Sequence, residues 1–164
     1  MRVSANRNMI CTLSIGVTDV GIARDHNEDC FGIEIPEERE ILETMGALYL
    51  VADGMGGHLA GEVASAQARA VVTEEYYRPS NGTGALDADL GGEIGARLKR
   101  AVRKANEAVY TTAQSIARRE GMGTTLVSAA VRRSEVYIAN VGDSRAYLFR
   151  DGRLQQITTD HSFV

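Results

Sequence analysis

Two cysteines, Cys11 and Cys30, are all that the 164-residue chain carries. They have neither the number nor the spacing of a disulfide framework or a zinc site. No apolar run approaches the roughly 20 residues that a membrane-spanning helix needs, and no basic-then-apolar secretory segment opens the chain. Positive charge is not in excess either. The chain has 18 Lys and Arg against 22 Asp and Glu, a net charge of −4, which argues against a general nucleic-acid or membrane-surface binder. These absences lead to the expectation of a soluble, cytoplasmic protein. What is present, 44% hydrophobic and 24% charged residues, suits one globular domain with room for a core. No internal repeat is found.

The chain is organised around the stretch from Leu50 to Ser65. An apolar run, Ala47 to Ala52, stops at a lone acid, Asp53. The glycine-dense Gly54-Met55-Gly56-Gly57-His58 follows, and a helical pattern begins at Leu59. An Asp at the end of a buried strand can point its carboxylate into a cleft with little freedom to lose. Glycines beside it let backbone carbonyls and amides approach whatever that carboxylate holds. Mg²⁺ and Mn²⁺ want such oxygen ligands. A tight strand-to-helix turn with an incidental Asp accounts for the motif equally well when it stands alone.

From the start, Met1 to Ile10 is polar and reads as a loose terminus, with the folded domain spanning residues 11–164. Cys11 to Thr18 alternates as a strand would, and Cys30 to Ile35 resumes as one. Between them, Arg24-Asp25-His26-Asn27-Glu28-Asp29 has no apolar interruption. It reads either as a solvated loop or as a group converging on a site. Pro36 to Glu43 reads as an acidic surface loop. In the helix after Asp53, Leu59, Val63, Ala66, Ala70 and Tyr77 fall near one face. Pro79 and Ser80-Asn81-Gly82-Thr83-Gly84 end it. A second helix carries Ile94, Leu98, Ala101, Val102, Ala105, Val109 and Ile116 at spacings of three and four. Arg97, Arg100, Arg103 and Lys104 lie mostly off that stripe and read as a solvated face rather than a phosphate-binding patch. After Gly121-Met122-Gly123 come four strands: Thr124 to Val131, Glu135 to Val141, Arg145 to Phe149 and Arg153 to Ile157. Asp151-Gly152 is the hairpin turn between the last two. Val136 to Val141 is nearly continuous in apolar residues, which predicts burial on both faces. Helices packed on antiparallel sheet, an α+β fold, is the class these elements define.

Arg24-X-X-Asn27-Glu28-Asp29, Asp53-Gly54-Met55-Gly56-Gly57-His58, Gly123-Thr124-Thr125, Gly142-Asp143-Ser144-Arg145 and Thr159-Asp160-His161-Ser162 occur in that order. Together they resemble the successive motifs of the metal-dependent serine/threonine protein phosphatases of the protein phosphatase two C type, closer to the bacterial branch. The resemblance covers essentially Cys11 to Val164. It implies an α-β-β-α sandwich of two antiparallel sheets flanked by helix pairs, with two Mn²⁺ or Mg²⁺ ions at one edge and a third, weaker one beside them. Carried over by residue, Asp53 resembles the carboxylate bridging the two metals, and Gly54 gives them its backbone carbonyl. Glu28 resembles the acid reaching a metal through water, with Asp29 beside it. Asp143 resembles a ligand of the third metal, and Arg24 the guanidinium gripping the substrate phosphate. Thr124, Ser144 and His161 match motif positions and are read as packing and hydrogen-bonding residues. Met55 stands where animal members carry a His, and His58 is read as structural.

Two cations would neutralise a phosphomonoester and activate the attacking water, while the planar fork of an Arg suits phosphate. The resemblance therefore implies hydrolysis of phosphoserine and phosphothreonine in proteins, opposite a serine/threonine protein kinase. The family pattern continues past Val164 with two further aspartates. That leads to the expectation of weak metal binding and little activity from this chain alone, unpaired sheet edges through which it could associate, and a domain incomplete at its C-terminus. The alternative is a catalytically inactive phosphatase-like module that binds phosphoproteins or regulates a partner.

Overall fold

The computed structural model describes residues 12–22, 25–56, 60–79, 90–115 and 121–161. In chain order these form β1 (Asp29–Glu34), α1 (Arg39–Met45), β2 (Ala47–Met55), α2 (Ala60–Tyr77), α3 (Leu90–Ser115), β3 (Gly123–Thr124), β4 (Leu126–Arg132), β5 (Glu135–Val141), β6 (Tyr147–Arg150) and β7 (Arg153–Gln156). The main sheet runs β1–β2–β4–β5, antiparallel throughout, and β3 pairs with the far end of β2. β6 and β7 make a separate hairpin. No helix is long and apolar enough to cross a membrane among the described residues.

Period-two alternation gives the sheet two unlike faces. Gly32, Leu50, Ser128 and Ala139 line up across one face, and Phe31, Val51, Val127 and Asn140 across the other. The first face is covered by α2 and α3, and Leu48, Leu50, Ala52, Leu126 and Ala130 are buried there. Ala60, Ala64 and Ala68 recur every fourth residue on α2, so that helix lies close to the sheet; Val72 and Tyr76 continue its buried stripe. Ile94, Leu98, Ala101, Val102, Ala105 and Val109 do the same for α3. Each large aliphatic chain so buried contributes roughly 1.5–3 kcal/mol. The Tyr76 hydroxyl donates to the Met45 carbonyl at 2.5 Å, and Tyr77 donates to the Glu34 and Gly46 carbonyls. The second face is partly open, with Val51 and Val136 52% and 56% exposed. The backbone of Gly16 rests against the Phe31 ring there.

Several elements depart from the sequence reading. Residues 12–18 carry no regular structure, because no described strand pairs with them. The acidic segment after Pro36 is not all loop: α1 starts at Arg39, held by an Arg39–Glu43 pair one turn apart. The buried stripe of α2 is Ala60, Ala64, Ala68, Val72 and Tyr76, whereas Ala66 and Ala70 face solvent. An alanine-rich helix offers several small stripes, and the sheet selected a neighbouring one. β5 is buried on neither face along its length, since it is the sheet edge and its outer face lacks cover. Arg97 is 7% exposed rather than solvated. It donates to the Tyr76 and Arg78 carbonyls and pairs with Glu93, so it satisfies the end of α2. Leu59 and Ile116 lie outside the described residues.

Candidate active site

β2 carries Asp53 past the end of its apolar run, and the β1–β2 register sets Asp29 directly opposite. Both point to the partly open face, because they continue the odd-numbered rows of Phe31 and Val51. Like charges facing each other across a strand pair are destabilising. A cation between them would remove that cost. Asn27 shapes the approach to Asp29. Its Oδ1 accepts the Asp29 N–H at 3.0 Å, and its Nδ2 donates to Thr18 Oγ1 at 2.7 Å.

Glu28 is half-buried where β1 meets the start of α2. Its carbonyl accepts the Gly54 N–H at 3.1 Å and the Ser65 hydroxyl at 2.6 Å, which pins β1, β2 and α2 at one point. The junction is tight enough to require glycine twice. A Cβ on Gly54 would sit 2.2 Å from the Gly61 carbonyl oxygen and 2.5 Å from that of Glu28. A Cβ on Gly61 would sit 2.7 Å from Glu28 Oε1. The glycines thus bring a backbone carbonyl and an acidic side chain into one corner.

The Asp53 backbone is held on its other side by residues 124 and 125. Its N–H donates to Thr125 Oγ1 at 3.1 Å, and its carbonyl accepts from the Thr125 N–H at 2.9 Å and the Thr124 hydroxyl at 3.0 Å. Asp143 is exposed on the turn after β5, between Gly142 and Ser144. The Gly142 carbonyl accepts the His161 N–H at 2.9 Å. Arg145 grips Asp160 through Nε and Nη2, the shortest bond 2.6 Å. Those hydrogen bonds, then the charge, hold the Asp160 carboxyl below the usual aspartate range.

Of the residues singled out from sequence, the structure brings Glu28, Asp29, Asp53 and Gly54 to the same strand ends. Asp143 joins the neighbourhood through its turn rather than through the sheet. Arg24 and His58 lie outside the described residues. Met55 is 61% exposed at the strand end. Sequence reasoning missed Ser65, Gly61 and the structural weight of Thr125. A hydroxyl residue directly ahead of an apolar strand was the available signal for Thr125.

The donors at this corner are all oxygens, the chemistry of a hard divalent cation. Among the described residues, no group of three or more His, Cys, Asp or Glu side chains assembles to hold a metal. The donors fit such an ion in kind and are short in number.

The antiparallel sheet lies under a helix pair and carries acids at its strand ends, and comparison with known proteins gives the family. The profile of the protein phosphatase 2C family matches residues 14–163, and the chain belongs to that family. It is 40% identical over 147 residues to the serine/threonine phosphatase stp of Listeria monocytogenes serovar 1/2a, covering 90% of this chain and 54% of that protein. It is 38% identical over 148 residues to the serine/threonine protein phosphatase PstP of Mycobacterium tuberculosis strain H37Rv, covering 90% of this chain and 24% of that one. The crystal structure of the M. tuberculosis PstP/Ppp superposes with a TM-score of 0.67 at 38% identity, covering 88% of this chain and 53% of that chain. A structure of the PstP catalytic domain holding two manganese ions gives a TM-score of 0.67 at 36% identity, over 88% of this chain and 54% of that chain. The chain thus spans about half the length of the first curated relatives it matches.

Proposed function

We propose that this chain forms the Asp53-bearing part of a phosphoprotein phosphatase that hydrolyses phosphoserine and phosphothreonine with the help of divalent metal ions. The observation that supports it best is the facing pair Asp29 and Asp53 beside the close-packed Gly54–Gly61 junction. Asp53 and the Gly54 carbonyl would hold Mn²⁺ or Mg²⁺, Glu28 would reach it through water with Asp29 beside it, and Asp143 would hold a further, weaker ion. Such ions, when bound, neutralise a phosphomonoester and lower the pKa of a coordinated water. The chain's own part is to fix the carboxylates. Asp53 is anchored at its N–H and its carbonyl, so the backbone that carries its carboxylate is fixed. Arg24 would orient the phosphate with parallel N–H donors. The substrates on this reading are phosphoproteins, their phosphates placed by a serine/threonine protein kinase.

A second reading is favoured by the short donor set among the described residues: a phosphatase-like module that binds phosphoproteins without turning them over. Hydrolysis of p-nitrophenyl phosphate and a phosphothreonine peptide in Mn²⁺, Mg²⁺ or EDTA separates the two. It should be measured on this chain and on a longer reading frame containing it. Turnover that EDTA or Asp53→Ala abolishes supports the enzyme. Phosphoprotein binding that depends on Arg24, with no turnover from either version, supports the module.

A further inference from the structure

Asp53 and Asp143 are 90 positions apart in sequence, yet one side chain touches the flanks of both. Thr125 Oγ1 accepts the Asp53 N–H at 3.1 Å and lies 2.6 Å from Ser144 Oγ. Because it accepts from the amide, its own hydroxyl proton is available to Ser144. Gly142, on the other side of Asp143, has φ +95°, and a Cβ there would sit 2.8 Å from the Thr125 methyl. Asp143 is therefore flanked by two residues that both rest on Thr125. The turn is closed from behind by the His161 N–H and, at 3.4 Å, by Asn140 Nδ2, both donating to the Gly142 carbonyl.

We infer that Thr125 is a positioning residue that locks the Asp53 end of β2 to the Gly142–Ser144 turn, so that the two carboxylates move as one unit. The lock needs two properties in one side chain. The hydroxyl bridges amide to hydroxyl, and the methyl seats the glycine. Thr124, one residue earlier, makes no such bridge: its hydroxyl faces the Asp53 carbonyl and the carbonyl of Thr125 itself. The inference draws on the proposed function only in reading Asp53 and Asp143 as metal ligands.

The test is amide hydrogen exchange by NMR on the 164-residue chain, with Mn²⁺ affinity from calorimetry as a second readout. Thr125→Val keeps the shape and removes the hydroxyl. It should speed Asp53 N–H exchange by up to about tenfold, the worth of one hydrogen bond. Thr125→Ser should restore near-native exchange. Ser144→Ala, which does not touch Asp53, should speed the same amide by a few-fold, and the double variant should be no faster than Thr125→Val alone, because the two residues share one path. An Asp53 amide indifferent to Ser144→Ala, or fully additive effects, overturns the inference. So does Thr125→Ser behaving like Thr125→Val. Mn²⁺ affinity should fall with Thr125→Val and return with Thr125→Ser. A wild-type chain that binds no Mn²⁺ overturns the ligand reading, while the exchange data still decide the coupling.

Discussion

Gly54→Ala offers the sharpest test of how this corner is built. In an ordinary strand, replacing glycine by alanine stabilises by about 0.5–1 kcal/mol, since glycine has more freedom to lose. Here the added methyl would meet the Gly61 carbonyl oxygen at 2.2 Å, the Glu28 carbonyl oxygen at 2.5 Å and the Gly61 carbonyl carbon at 2.5 Å. All three are backbone atoms, so no side chain can swing aside. The end of β2 and the first turn of α2 would have to separate by about an ångström to regain ordinary contact, for which 3.4 Å is the near limit. That movement stretches the 3.1 Å bond from the Gly54 N–H to Glu28. Overpacking of this kind costs about 1–3 kcal/mol and the weakened bond about 0.5–1.5 more. With the ordinary gain from replacing glycine set against them, the net expectation is a loss of roughly 1–4 kcal/mol, or a fall in Tm of roughly 2–15 °C at this chain length. Thermal unfolding followed by circular dichroism reads it directly. Gly61→Ala is the companion, because its methyl meets the movable Glu28 carboxylate first, at 2.7 Å. It should cost less stability than Gly54→Ala. A Gly54→Ala protein as stable as wild type, or more so, would refute the close approach of β2 and α2 and with it the placing of Glu28 beside the Gly54 carbonyl.

Tyr76→Phe leaves the part-buried Met45 carbonyl without its 2.5 Å donor and should destabilise by about 1–2 kcal/mol, read from urea midpoints at unchanged m-value. Burial pushes the Tyr76 phenol up to about 12 and that of Tyr77 higher still. Their neutral forms therefore favour the fold fully below the ordinary value near 10, and that contribution is lost as pH rises through the folded values. Absorbance at 295 nm should show these two phenols ionising only with alkaline unfolding; their ionisation near pH 10 in folded protein would contradict it. The Asp160 carboxyl is shifted the other way, below its ordinary 3.8, chiefly by hydrogen bonding from Arg145. Its tether is therefore complete above that value and is lost as pH falls through the lower folded one. Arg145→Ala should return the Asp160 midpoint, followed by carboxyl carbon NMR, to the ordinary range.

The parts of this molecule legible in the sequence are those whose signal is local. α3 announces its buried face because its apolar residues are large and its opposite face is charged, so only one rotation about its axis buries the stripe. α2 has alanines at nearly every turn, and only the sheet beneath it decides which of them is buried. The motif residues Asp53, Glu28 and Asp29 were visible as acids abutting apolar strands, which a tight turn or a solvated loop explained as well as a site did. Their facing arrangement needed the β1–β2 register, a long-range fact. Residues 12–18 and β5 show the same limit from the other side. Both have strand-like sequence, yet pairing and burial depend on what lies alongside, and sequence propensity cannot supply a neighbour.

The position of the acids follows from that register. The odd-numbered positions of β1, β2 and β4 belong to the partly open face, and Asp29 and Asp53 face each other at the end of the β1–β2 pairing. A carboxylate on the even rows would point under α2, into a region of alanine and leucine where its charge could be kept only at great cost. Shifting β1 by one residue against β2 would turn Phe31 toward the helices and separate Asp29 from Asp53. The bonds from Gly54 and Ser65 to the Glu28 carbonyl prevent that slip. The same contacts that close the β1–β2–α2 corner therefore select the face on which the acids meet, and a variant that loosens the corner should scatter the carboxylates before it unfolds the sheet.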